Sequence, residues 1–205
     1  IATQRAARAA RLRFIQDRPP RFMIFEFHAQ TDPGLIRENN EDSVALDAEN
    51  QVVVLADGMG GYNAGEVASA MATSFVKTEL GRWLAEGGHE ASGRELKRAM
   101  EICIDNANRS IFNAANADAQ YAGMGTTLVM GVFQGVRTLI GHVGDSRCYR
   151  LRGDSFQQIT RDHSLLQEQI DAGLITQEQA QYATHKNLVT RALGVEDTVL
   201  LEVNE

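Results

Sequence analysis

Val52, Val53, Val54 and Leu55 follow one another without a polar residue, and half-exposed strands alternate, so this run predicts a strand shielded on both faces. Such a strand obliges the chain to pack other layers around it. The run closes on Asp57, Gly58, Met59, Gly60 and Gly61, a lone carboxylate at the end of a buried strand beside backbone almost free of side chains. Strand-like segments at 23–29, 43–46 and 51–56 come first. Two long helices are predicted next. The first, over 63–85, has Val67, Met71, Phe75, Val76, Leu80, Trp83 and Leu84 at helical spacing. The second, over 92–116, opens on Ser92 as N-cap with Glu95 three residues on, and carries Leu96, Met100, Cys103, Ala107 and Ile111 as its apolar stripe. Strand patterning returns at 126–133, 137–143, 147–151 and 156–159, with short turns at Gly135 and Gly153, and short connections imply antiparallel pairing. Helical pieces at 165–172 and 176–182 and a strand at 198–203 complete the pattern. This order predicts an α+β fold, a four-layer α-β-β-α sandwich of two antiparallel sheets flanked by helices.

The chain has 205 residues and 43% hydrophobic content, enough for one packed domain. Residues 1–22 stand apart: six arginines face one acid, Asp17, and Pro19-Pro20 separate them from the rest. This segment reads as an extension or linker, and 23–205 as the domain. The net charge of −7 therefore divides into +5 for this segment and −12 for the domain, which holds all three lysines and lacks the basic face that nucleic-acid binding requires. Cys103 and Cys148 are too few and too far apart for a disulfide framework or a zinc knuckle. No run reaches the ~18 apolar residues of a membrane span, and no secretory signal pattern is visible. A cytoplasmic protein is the expectation.

A glycine-rich corner after a strand has two chemical uses, cradling a phosphate or holding a metal. The phosphate cradle fails, because a P-loop needs Lys after its last glycine and a dinucleotide site needs a parallel strand–helix–strand unit. A tight turn alone accounts for the glycines but not for Asp57. A second acidic corner, Arg37-Glu38-Asn39-Asn40-Glu41-Asp42, enters the preceding strand. If the two strands are neighbours, Glu41 or Asp42 converges with Asp57 and the Gly58 carbonyl. Asp145, in Gly144-Asp145-Ser146-Arg147, adds a third carboxylate at a strand end. Each alone reads as an ordinary turn residue. Together they are hard oxygen donors suited to Mg²⁺ or Mn²⁺.

These segments, with Gly125-Thr126-Thr127, Asp162-His163-Ser164 and Leu188-Val189-Thr190-Arg191-Ala192-Leu193-Gly194, stand in the order found in bacterial metal-dependent serine/threonine protein phosphatases of the type 2C class, which the chain resembles over about residues 25–205. The resemblance implies a β-sandwich with flanking helices and a binuclear Mg²⁺/Mn²⁺ centre. It further implies phosphorylated proteins as partners, hydrolysed at phosphoserine and phosphothreonine by activated water. On that resemblance Asp57 would bridge two metals, the Gly58 carbonyl with Glu41 or Asp42 would complete one metal's shell, Asp145 would serve a third, looser metal, and Arg37 would bind the substrate phosphate. Three departures accompany it. Met59 and Tyr62 stand where many relatives have His, leaving the general acid unassigned, and His163 and His185 read as surface or packing residues. Two further metal-binding aspartates of the family fall after Glu205, where the chain as given stops. A phosphatase-like module that binds phosphoproteins without turnover is the alternative.

Overall fold

A computed structural model of the chain describes residues 23–60, 64–183 and 188–205. The segment 1–22, Gly61, Tyr62 and His185 lie outside the described residues.

Strands β1 (Asp42–Asp47) and β2 (Val52–Met59) form a hairpin. On its other side β2 pairs with β3 (Gly125–Thr126) and β4 (Leu128–Gln134), β4 pairs with β5 (Arg137–Val143), and β5 with β8 (Glu202–Asn204). All of these pairs are antiparallel, in the order β1-β2-β4-β5-β8. A separate two-stranded ribbon joins β6 (Tyr149–Arg152) to β7 (Ser155–Gln158). The helices are α1 (Ala64–Ala85), α2 (Gly93–Ala117), α3 (Leu165–Asp171) and α4 (Gln177–Ala180). The α+β class with two antiparallel sheets and flanking helices is therefore as expected, and the second sheet is the short ribbon.

Helix α1 lies close over β1 and β2. Its innermost row is Ala64, Ala68, Ala72, Val76, Leu80 and Leu84, each at most 2% exposed. The predicted stripe was wider, and Val67, Met71, Phe75 and Trp83 flank this row, half-buried against the core. Small residues head the row because the helix's first turn touches strand backbone: a Cβ on Gly58 would lie 1.9 Å from the Gly65 carbonyl oxygen. Further along, Val76, Leu80 and Leu84 each contribute roughly 1.5–3 kcal/mol by full burial. Helix α2 starts as expected at Ser92, whose side chain accepts from the Glu95 amide while Glu95 accepts from the Ser92 amide, a reciprocal cap. It leans on β5, where a Cβ on Gly141 would lie 3.0 Å from Met100 Cε.

Four local expectations change. Strand β2 does not stop before Asp57 but continues to Met59, because β3 supplies backbone partners to Gly58 and Met59. Nor is β2 sealed on both faces: Val52, Val54 and Ala56 are buried beneath α1, whereas Val53 and Leu55 are half-buried. The segment 23–29 joins no strand ladder. Instead Phe25 and Phe27 pack their rings on Phe133, at centroid distances of 5.2 and 5.6 Å, so side chains rather than backbone attach it. The strand predicted over 126–133 is also interrupted at Thr127, whose amide keeps its bond to the Asp57 carbonyl at 3.0 Å while its hydroxyl takes the Asp57 amide at 3.2 Å.

Candidate functional site

Strand register decides which side chains share a face. Asp42 stands opposite Asp57, Val44 opposite Leu55 and Leu46 opposite Val53. Because side chains alternate along a strand, all six point away from α1. Two carboxylates directly across a strand pair repel each other, so this corner is electrostatically primed for a cation. The chain fixes the corner through its backbone. The Asn40 side chain accepts from the Asp42 amide at 3.0 Å and donates to Thr31 Oγ1 at 2.8 Å. The Glu41 carbonyl accepts from the Gly58 amide at 2.9 Å.

The Glu41 carboxylate is lodged between two groups. Its Oε2 lies 3.3 Å from Arg37 Nη1, and its Oε1 would be 2.6 Å from a Cβ on Gly65. Gly65 lies in the first turn of α1, where the helix dipole favours negative charge. Gly58 had been expected to be glycine so that its carbonyl could face a metal. The close approach of α1 is a separate and sufficient reason, since any side chain at 58 would strike Gly65. Arg37 keeps half of its side chain exposed, free to swing towards a ligand.

Asp145 follows β5 in a turn that begins at Gly144, φ +100°. The Gly144 carbonyl accepts from the His163 amide at 2.9 Å, and the Gly144 amide donates to His163 Nδ1 at 3.1 Å. Burial first, then the negative fields of Asp162 and Asp57, raise the Asp145 carboxyl above its ordinary pKa. Asp145 thus lies within electrostatic reach of Asp57. The structure brings Glu41, Asp42, Asp57 and Gly58 together through strand pairing, joins Arg37 to them through Glu41, and sets Asp145 at the same end of the sheet. Half-buried, mutually repelling carboxylates of this kind fit a divalent cation. Met59 tucks under Gly125, where a Cβ would lie 3.2 Å from its Cε, and offers no proton.

Sequence reasoning gave no role to several neighbours. Asp162 is held by Arg147, whose Nε lies 2.9 Å from both carboxylate oxygens and whose Nη2 lies 2.5 Å from Oδ2, and Gln158 adds a bond at 3.0 Å. This clamp ties the ribbon to the turn carrying Asp145. His142, His163 and Glu202 bring potential ligand atoms within 4.8 Å of one another. A metal does not fit there. The Gly144 amide makes His163 Nδ1 an acceptor, so its Nε2 carries the proton towards Glu202 Oε2 at 3.2 Å, with the Arg191 guanidinium 3.3 Å away. Burial is the main cause holding His163 below the usual histidine pKa. It is a buried packing residue, its ring stacked on His142 at 4.6 Å. Gly65 falls inside the predicted helix over 63–85 and Thr127 inside Gly125-Thr126-Thr127, yet nothing local told what they touch.

The protein phosphatase 2C family pattern matches residues 37–193. The chain is 39% identical over 178 residues to the serine/threonine phosphatase stp of Listeria innocua, covering 84% of this chain and 69% of the relative. It is 37% identical over 171 residues to the serine/threonine protein phosphatase PstP of Mycobacterium tuberculosis, covering 83% of this chain and 31% of that one. Among solved structures, serine/threonine phosphatase Stp1 from Staphylococcus aureus aligns with a TM-score of 0.75 at 32% identity, over 84% of this chain and 67% of that chain. The PstP catalytic domain in complex with two manganese ions aligns at 0.67 and 34% identity, over 96% and 71%.

Proposed function

Because the chain belongs to the protein phosphatase 2C family, we propose that the acidic corner of its sheet holds Mg²⁺ or Mn²⁺ and that Arg37 receives the phosphate of a phosphoserine or phosphothreonine in a cytoplasmic protein. Family membership makes the chain a metal-dependent serine/threonine protein phosphatase. The observation that carries the assignment of residues is the register of Asp42 against Asp57, with Asp145 sensing the Asp57 charge. Asp57 would contact two cations, Glu41, Asp42 and the Gly58 carbonyl would complete the shell of one, and Asp145 would serve a third. When bound, the cations generate a nucleophile from water at neutral pH and offset charge on the transferring phosphoryl group.

The chain's own residues do the rest. Arg37 is half-exposed and sits beside Glu41, so its planar fork can exchange that partner for two phosphate oxygens held bidentately. Asp42 and Asp57 stay fixed by β1–β2 pairing, so they need no reorganisation when charge develops.

The test is Mn²⁺-dependent hydrolysis of a phosphothreonine peptide by the 205-residue chain and by Asp57→Ala, together with calorimetric Mn²⁺ titration of both. We expect turnover in the parent, none above background in the variant, and a loss of Mn²⁺ affinity of about 100-fold or more. Equal Mn²⁺ affinity in the two proteins would remove Asp57 from the site.

A further inference from the structure

We propose that Thr127 is a positioning residue that fixes the spacing between Asp57 and the Asp145 turn, acting through its hydroxyl. This rests on the reading of those carboxylates as metal ligands. Thr127 sits in the break between β3 and β4 and is 3% exposed. Its amide donates to the Asp57 carbonyl at 3.0 Å, and its Oγ1 accepts from the Asp57 amide at 3.2 Å. One residue therefore grips both polar groups of the Asp57 backbone. The same Oγ1 shares a hydrogen bond of 2.7 Å with Ser146 Oγ, the residue after Asp145. Its methyl side fills the other half of the junction, since a Cβ on Gly144 would lie 2.7 Å from Thr127 Cβ and Cγ2.

The consequence is geometric. Asp57 belongs to β2 and Asp145 to a turn 88 positions further on, the difference of their numbers. Within the described residues, the hydroxyl of Thr127 is the hydrogen-bonded link from the Asp57 main chain to the Asp145 turn. With Oγ1 accepting from the Asp57 amide, the hydroxyl proton is free to face Ser146, so one oxygen completes both bonds. Strand pairing brackets this junction, with Gly58 opposite Thr126, Leu55 opposite Val129 and Leu128 opposite Val143, and the Thr127 hydroxyl adds the tie from the Asp57 amide to the turn beyond Val143. The break in the ladder lies in this exchange: Thr127 stands opposite Asp57 in the register shared by β3 and β4, its amide keeps the ladder bond to the Asp57 carbonyl, and its hydroxyl takes the Asp57 amide. Two carboxylates that repel each other would drift apart without such a tie, and cation affinity depends on their separation.

Three variants test it, read by Mn²⁺ calorimetry and by thermal midpoint. Thr127→Val keeps the shape and removes the hydroxyl; it should bind Mn²⁺ about tenfold more weakly while remaining folded. Thr127→Ser restores the hydroxyl and should return to within about twofold of the parent. Ser146→Ala cuts only the outer link and should fall between the two. Thr127→Val binding as tightly as the parent overturns the proposal. So does Thr127→Ser binding as weakly as Thr127→Val, because restoring the hydroxyl would then not restore affinity. Should Thr127→Val not fold, unchanged binding by Ser146→Ala overturns the proposal and weakened binding supports it. A parent that binds no Mn²⁺ overturns the metal reading itself and this inference with it, whereas failure of the variants alone leaves the metal reading standing.

Discussion

At the scale of single residues, the site is governed by what each side chain is pressed against. Gly65 has no side chain, and that absence makes room for Glu41. Gly65→Ala would force Cβ to within 2.6 Å of Glu41 Oε1 and 2.9 Å of the Gly58 and Met59 backbone. Overpacking of this order costs about 1–3 kcal/mol, and here the movable partner is a candidate ligand. We expect Gly65→Ala to lower the thermal midpoint and Mn²⁺ affinity together; a midpoint equal to the parent's would show that the helix can shift without loss. Arg37 makes the opposite case, because it is half-exposed and tied by one contact of 3.3 Å. Arg37→Ala should leave the midpoint unchanged and lower kcat/KM for a phosphothreonine peptide by about 10- to 100-fold, chiefly through KM. A fall in kcat at constant KM would contradict a role in holding the substrate phosphate. The contact of Glu41 with Gly65 was not legible in the sequence, since the two are 24 positions apart by their numbers.

Elements were far more legible. Helix α2 was bounded by sequence at its start because a capping box is a local device: Ser92 and Glu95 satisfy each other's amides with no help from the rest of the fold. Ser92→Ala should therefore destabilise the protein by about 1 kcal/mol, a fall of about 2–4 °C in midpoint for a domain of this size, with Mn²⁺ affinity untouched. A loss of metal affinity in that variant would mean that α2 is coupled to the site. Strand ends were misjudged where tertiary partners set them. Strand β2 runs three residues further than expected, with Asp57 paired to β1 and Gly58 and Met59 to β3, and the strand expected after Gly125 was divided at Thr127. The segment 23–29 alternates as a strand does, yet its rings found Phe133 and its backbone found no ladder.

Across the whole molecule, the polar chemistry gathers at one end of the sheet. Asp42 and Asp57 lie there with the Asp145 turn, and beside it the buried, stacked His142 and His163, with half-buried Glu202, lead from that turn to β8. His163 faces His142 and Arg191, which oppose its protonation, and Glu202, which favours it, and burial outweighs that favour. Its folded pKa therefore lies below the ordinary 6.5, so the unfolded chain binds the proton more readily. Stability is unaffected above that value and is lost as pH falls through it towards the lower folded pKa. His163→Gln should flatten this part of the dependence of midpoint on pH; an unchanged slope below about pH 6.5 would place the sensitivity elsewhere. No helix among the described residues is long and apolar enough to cross a membrane.

The sequence by itself determined the layered α+β class, the helix pair and its cap, the antiparallel strands and the family, because periodicity, capping and short turns act between residues close along the chain. It also named the carboxylates, since their motifs stand at strand ends that hydrophobic patterning reveals. Only the tertiary structure decided that Asp42 faces Asp57, that α1 descends onto Gly58, and that Thr127 reaches both Asp57 and Ser146. Those are relations between segments brought together by packing, and a pattern with a period of two or 3.6 residues carries no record of which distant partner fills the next site across.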